Sequence, residues 1–278
     1  MANTKNVTGF RGLILTEEPT TSKQVLVVNP DIRSRIDKII HEFRQRAKLK
    51  SHGLSHRSKI LLIGPPGTGK TMTADVLAHE LRIPLHTIQV DRLVSQYLGE
   101  TSTRLRRVFD FMKEELGVYF FDEFDSIGGD RGLSNDVVEM RRVLNSFLQF
   151  IEQDISDSIV IAATNNQELL DKALFRRFDD VLYYNNPTDA EKQQLIENVL
   201  GLFKPKDFKW DRVIEKSSNL CHAELVSACL DAVKNAVLAD KKKVSDLDLC
   251  DMINNREGEY HVKPAEYEFA ELKKGAGI

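Results

Sequence analysis

Gly64-Pro65-Pro66-Gly67-Thr68-Gly69-Lys70-Thr71 sets two glycines, a lysine and a hydroxyl in the order G-x-x-x-x-G-K-[ST], with a third glycine, Gly67, between them. That order suits a polyphosphate. Glycines let the backbone curl so that its N–H groups face phosphate oxygens, Lys70 can reach the β- and γ-phosphates, and the Thr71 hydroxyl can join a Mg²⁺ shell. Met72 follows in the first turn of the next element, so residues 64–72 form one candidate binding segment for ATP. The apolar run KILLI before the loop and TADVLAHEL after it place the motif between a strand and a helix, which a chance Gly-rich turn would not require.

A second group begins where four apolar residues, Val118 to Phe121, run into Asp122-Glu123. Two adjacent carboxylates at the end of a buried strand can divide their work. Asp122 would hold the Mg²⁺ shell, and Glu123 would orient and deprotonate the attacking water. Ala162-Ala163-Thr164-Asn165 ends another apolar run in an amide that could position that water, although an Asn there can also simply cap a turn. Arg176-Arg177, in DKALFRRFDD, is surface charge in most contexts and a pair of candidate fingers on a γ-phosphate beside a nucleotide interface.

The elements that must carry these groups follow from periodicity. Short β-branched or aromatic runs at 59–64, 84–90, 118–123, 159–165 and 181–186 alternate with amphipathic stretches, the pattern of a parallel sheet covered by helices. Leu105, Val108, Phe109 and Met112 recur at helical spacing, as do Val143, Leu144, Phe147, Leu148 and Ile151. Asn29-Pro30 should open a helix. After Pro187 the strand signal stops: Thr188 to Glu191 reads as a capping box, Ser245 with Asp248 opens another helix, and Glu224 to Leu238 is apolar and periodic between them. The organisation expected is an N-terminal segment over 1–30, a large α/β part over 31–186, a small helical part over 187–256 and a polar, Gly-rich tail over 257–278.

A net charge of -3 gives no global polyanion signature. The one basic segment, from Arg33 to Lys59, reads as a solvated helix face or a subunit surface, so nucleic acid is disfavoured as a partner. Three cysteines, Cys221, Cys229 and Cys250, have no metal-ligand spacing and read as small apolar residues. MANTKNVTGFRG has no apolar signal core, and no run reaches membrane-spanning length, so a cytoplasmic protein with no membrane partner is expected. His79-Glu80-Leu81-Arg82-Ile83 fails H-E-x-x-H at its last position, as does His41-Glu42-Phe43-Arg44-Gln45, so any protease would be a separate chain.

Taken in order, GPPGTGKT, FFDEFDSIGGDRG, AATN and ALFRRFD resemble the AAA family of AAA+ ATPases over nearly all of residues 53–253. The resemblance implies a 5-1-4-3-2 parallel sheet, a helical lid, and a homo-oligomeric hexameric ring with ATP at each subunit boundary. Asn165 matches the sensor-1 residue, and Arg176 and Arg177 match the arginine fingers that act on a neighbour. The compact ALFRRF is most similar to the katanin, spastin and ESCRT-disassembling group. Gly53 and Leu54 would pack near the base. Cys221-His222-Ala223-Glu224-Leu225 resembles the Ser-Gly-Ala-Asp-Leu segment beside the adenine, with His222 standing where the family has glycine. Tyr97-Leu98-Gly99 is similar to the pore loop that grips extended polypeptide, and Asp130 to Asp136 would supply a second channel loop. The function implied is a Mg-ATP-hydrolysing ring that remodels, unfolds or translocates protein substrates, with a separate protease or adaptor as a candidate partner. A nucleic-acid loader is the alternative, resting on the basic segment alone. A slow ATP-switched scaffold is a third, and intact Glu123 and Asn165 argue against it.

Overall fold

The computed structural model describes residues 12–93, 100–124, 136–165 and 175–261. The chain divides into two compact units, 1–185 and 186–278. The first is built on a sheet with strands β1 (Ile14–Glu17), β2 (Lys59–Ile63), β3 (Leu85–Ile88), β4 (Val118–Phe121), β5 (Ile159–Thr164) and β6 (Asp180–Tyr183). Its helices are α1 (Pro30–Arg44), α2 (Arg46–Ser51), α3 (Lys70–Leu81), α4 (Val90–Leu93), α5 (Glu100–Glu114) and α6 (Asp136–Gln153).

Strand order across the sheet is β1-β3-β4-β5-β2-β6. The five parallel strands therefore run in the 5-1-4-3-2 order implied by the resemblance. An antiparallel sixth strand, β1, joins the edge at β3, with Ile14 opposite Ile88 and Glu17 opposite Leu85. The weak pattern of ILTE concealed it, because an edge strand of alternating half-buried and exposed residues carries little apolar signal. Strand ends also fall short of the apolar runs, which continue into the P-loop, the Asp122-Glu123 turn and Asn165.

Period-two alternation sorts the strands between two cores. Leu61, Ile63, Tyr119, Phe121, Val160 and Ala162 face one side with α5 and α6, through Leu105, Val108, Phe109, Phe147 and Ile151. Ile60, Leu62, Val118, Phe120, Ile161 and Ala163 face the other with α1 and α3, through Ile36, Ile39, Phe43, Ala74 and Leu77. Burial on both faces is why these strands read as continuous apolar runs.

Asn29 caps α1, its side chain accepting from the Ile32 N–H at 2.9 Å, with Pro30 in the first turn. The basic segment is largely engaged within its own unit. Arg35 pairs with Asp180 at 2.8 Å, Arg57 with Glu42 at 2.9 Å, Arg44 with Glu80 at 3.2 Å and Lys50 with Asp157 at 2.6 Å. Arg33 donates to the carbonyls of Lys23 and Leu26.

In the second unit, helices α7 (Asp189–Leu200), α8 (Trp210–Lys216), α9 (His222–Leu238) and α10 (Asp246–His261) enclose Ile196, Val213, Leu225, Cys229 and Ile253. Thr188 and Glu191 form the capping box: the Thr188 N–H donates to Glu191 Oε2 at 2.7 Å, and the Glu191 N–H to Thr188 Oγ1 at 3.4 Å. Ser245 and Asp248 repeat it at α10. That helix continues past Arg256, where the sequence turns polar, to His261, and Arg256 pairs with Asp231 at 2.6 Å. No helix among the described residues is long and apolar enough to cross a membrane.

His86, on β3, links β1 to the core. It is 3% exposed, its Nδ1 lies 2.9 Å from Thr16 Oγ1, and its ring packs against Phe111 and Tyr119. Burial lowers its pKa to about 4. The unfolded chain, with an ordinary imidazole, therefore takes up the proton first, and this contribution to stability is full above pH ~6.5 and lost as pH falls toward about 4. Urea midpoints measured between pH 7.5 and 4.5 should fall with acid, and His86→Phe should flatten that part of the profile.

Candidate active site

The P-loop joins β2 to α3, Asp122-Glu123 follows β4, and Asn165 follows β5. These strands are neighbours in the order β4-β5-β2 and run parallel, so the three segments emerge together at their carboxyl ends. That is where an open parallel sheet offers a ligand crevice.

Loop geometry follows from its glycines. Gly64 lies against the strand-exit backbone, where a Cβ would come within 2.7 Å of the Tyr184 Cβ. Gly69, with φ 100°, is the left-handed residue from which α3 starts. Thr68 Oγ1 donates to the Pro65 carbonyl at 2.8 Å and closes the turn between them. The Lys70 side chain folds back over this turn. Its Nζ donates to the carbonyls of Gly64 at 2.7 Å and Pro65 at 2.8 Å, and to Asn165 Oδ1 at 2.7 Å. Lys70 is 6% exposed, and an ammonium so buried has to be met by acceptors.

The acidic turn is shaped by its neighbours. Phe121 and Phe124 both enter the same core, which forces Asp122 and Glu123 outward between them. Glu123 takes φ 47°, left-handed for a non-glycine residue, a conformation that costs about 1 kcal/mol or more. Its N–H donates to Asp122 Oδ1 at 2.9 Å, and Asp122 Oδ2 accepts from Thr71 Oγ1 at 3.0 Å. A hydroxyl and a carboxylate brought together beside a phosphate loop are the hard oxygen donors that Mg²⁺ takes, with phosphate oxygens and water completing its shell.

Arg176 and Arg177 are exposed on the turn before β6. The turn is pinned by buried Phe178 and by Asp179, whose Oδ2 accepts from the N–H groups of Ser58 at 2.9 Å and Lys59 at 3.0 Å. Arg177 pairs with Glu152 at the end of α6, whereas Arg176 has no ion-pair partner among the described residues. Gly53 (φ 72°) ends α2, and the Leu54 side chain after it is 58% exposed. His222 and Ala223 open α9 in the second unit. Burial lowers the His222 pKa, with Glu191 opposing, and neither ring nitrogen has a hydrogen-bond partner among the described residues. Tyr97, Leu98, Gly99 and the 130–135 loop lie outside the described residues.

The sequence reading missed two supports of the loop. Leu26, 1% exposed, lies within 3.6 Å of where a Cβ on Gly69 would stand, and Asp75 on α3 accepts from the N–H groups of Thr20 at 3.2 Å and Thr21 at 3.0 Å. The apolar run Val25 to Val28 was the visible trace of this strap.

Residues 60–186 match the AAA family, described as the ATPase family associated with various cellular activities. A protein named as an uncharacterized AAA family ATPase, from Sinorhizobium fredii (strain NBRC 101917 / NGR234), is 39% identical over 233 residues, covering 81% of this chain and 69% of the relative. This chain belongs to the AAA family of ATPases. It is also similar to a peroxisomal ATPase of Schizosaccharomyces pombe, 36% identical over 221 residues, covering 74% of this chain and 22% of the relative. A putative 26S proteasome regulatory subunit homolog of Methanothermobacter thermautotrophicus is 32% identical over 191 residues, covering 66% of this chain and 51% of the relative. The chain thus spans about half of the archaeal relative and about a fifth of the peroxisomal one. As an AAA ATPase it binds and hydrolyses ATP.

Two substitutions should separate binding from turnover. Lys70→Ala removes the buried ammonium and should lose ATP binding, while Glu123→Gln should keep ATP affinity and lose hydrolysis. Equal affinity of wild type and Lys70→Ala for a fluorescent ATP analogue would contradict the assignment of residues 64–71 to phosphate.

Proposed function

We propose that this AAA ATPase works as a cytoplasmic homo-hexameric ring that couples Mg-ATP hydrolysis to remodelling, unfolding or translocation of protein substrates. The observation that carries the reading is the meeting of Lys70 with Asn165 and of Thr71 with Asp122 across three adjacent strand ends. A complete hydrolytic set in one place suits a turnover engine better than a slow nucleotide switch. Lys70 and the loop N–H groups hold the β- and γ-phosphates, Thr71 and Asp122 hold Mg²⁺, Glu123 takes the proton of the attacking water, and Asn165 orients that water. Bound Mg²⁺ would supply charge neutralisation at the phosphates. Met72 lies in the first turn of α3, and Gly53 and Leu54 are assigned to the adenine end.

Arg176 and Arg177 are the groups offered to a neighbour's γ-phosphate. Support comes from their exposure and, for Arg176, from the lack of a partner among the described residues of its own chain. A protein substrate is supported by Tyr97-Leu98-Gly99 and by the likeness to a relative named for the 26S proteasome. A separate protease or an adaptor is the class of partner such an engine would serve.

Arg176→Ala should lower kcat by about 10³-fold with little effect on nucleotide binding to the isolated subunit. Mixing it with Glu123→Gln should recover activity, because some interfaces then combine an intact loop and glutamate with intact arginines. Rings proven to be mixed that stay inactive would count against fingers acting in trans.

The substrate class is read by Tyr97→Ala, which should leave basal ATP hydrolysis within about two-fold while abolishing unfolding of a tagged fluorescent protein. An aromatic grips varied chains at low entropic cost, so Tyr97→Phe should retain unfolding. Loss of ATP binding in Tyr97→Ala would instead make the residue part of the fold.

A further inference from the structure

Tyr184 stands one residue beyond β6 and next to the last position of the first unit. It is 3% exposed, and its phenol oxygen lies 2.7 Å from Thr73 Oγ1 in the first turn of α3. The Thr73 hydroxyl has a single proton, which it donates to the Gly69 carbonyl at 3.0 Å. The phenol is therefore the donor, and a directed relay runs from Tyr184 through Thr73 to Gly69. Burial holds the phenol well above the usual tyrosine range, so it keeps the proton that this relay needs.

The same residue governs the other end of the loop. Its N–H donates to the Ile63 carbonyl at 2.7 Å, and Gly64 packs so closely on it that only a hydrogen fits between them. Tyr184 thus touches the loop at its entry, Gly64, and through Thr73 at its exit, Gly69. Between those points lies the segment proposed to hold the polyphosphate, and Lys70 leans on the Gly64 carbonyl while following Gly69 in the chain.

We propose that Tyr184 is a positioning residue for ATP, holding the P-loop at its entry by direct packing on Gly64 and at its exit through Thr73, and so setting nucleotide affinity rather than the turnover step. The inference rests on the reading of residues 64–71 as the phosphate loop. Hydrogen bonds in a chain polarise and strengthen one another, so removing the first donor should weaken the Thr73 contact at the exit of the loop without emptying the core. Nothing in the motif pattern of the sequence singles out either hydroxyl.

Tyr184→Phe deletes one oxygen and keeps the ring. Binding of a fluorescent ATP analogue with Mg²⁺ should weaken about 3- to 10-fold, KM should rise by the same factor, and kcat at saturating ATP should stay within about two-fold. Thr73→Val should show the same split, Thr73→Ser should restore affinity, and the Tyr184→Phe/Thr73→Val double variant should be no weaker than the worse single variant. Unchanged affinity in a folded Tyr184→Phe protein, a fall in kcat with KM unmoved, or additive losses in the double variant would overturn the proposal. Should Tyr184→Phe fail to fold, Thr73→Val and Thr73→Ser decide, and equal affinity in both overturns it. Lys70→Ala separates the two levels: if it binds as wild type does, the phosphate-loop reading fails, whereas loss there with no change in Tyr184→Phe defeats the relay alone.

Discussion

One buried cation organises the carboxyl ends of the central strands. Lys70 is 6% exposed, and its ammonium is met by two carbonyls of its own loop and by the side chain of Asn165. Hydrogen bonds to a charged group are worth roughly 1.5–3 kcal/mol each, while an uncompensated buried charge costs several kcal/mol. Satisfying that ammonium dictates much else. The loop must curl until the Gly64 and Pro65 carbonyls converge, β5 must lie beside β2 so that Asn165 arrives, and Gly64 must lack a side chain to sit on Tyr184. Anionic oxygens are stronger acceptors than carbonyls for an ammonium's three N–H groups, which is the chemistry on which the proposed phosphate role of Lys70 rests.

The acidic turn works on the opposite principle. Asp122 is oriented by contacts on both of its oxygens, while Glu123 is exposed and its backbone is held left-handed by the phenylalanines on either side. A fixed carboxylate and a strained neighbour are thus produced by the same four residues, because Phe121 and Phe124 leave only two positions to bridge one core. Elsewhere, charge is spent on holding elements together. Arg35 and Arg57 both reach Asp180 at the start of β6, and Arg44 holds α1 to α3 through Glu80. These half-buried pairs tie elements together and also engage positive charge within the unit.

Much of this was legible in the residues. Strands buried on both faces announce themselves as KILLI, VYFF and IVIAAT, and their order followed from the family resemblance rather than from periodicity. Asn29-Pro30 and Thr188 with Glu191 marked helix starts because caps are local chemistry. What escaped were features made by distant partners. The strand at Ile14–Glu17 depends on Ile88 and Thr87 for its pairing, and α8 is a short helix whose single deeply buried residue, Val213, offers no period to detect. Helix α10 continues past Arg256, whose partner Asp231 lies on another helix of the bundle and so left no local signal. In the site, G-x-x-x-x-G-K-[ST] identified the loop but not Tyr184, Leu26 or Asp75, since a motif records the groups that meet the ligand and not those that hold them.

The position of β2 has a consequence for synthesis. This strand, which delivers the P-loop, lies between β5 and β6, and both are made long after it: Lys59–Ile63 must wait for Ile159–Thr164 on one side and Asp180–Tyr183 on the other. Parallel pairings of such long sequence separation close slowly, because the intervening chain must be ordered before the contact is gained. While the nascent chain emerges, the apolar-rich segment KILLI has neither neighbour, and an unpaired apolar strand of this kind is open to misassociation. Both neighbours of β2 are thus in place only after residue 183 has been made, and a chain truncated before β6 would leave one edge of the loop-bearing strand unpaired.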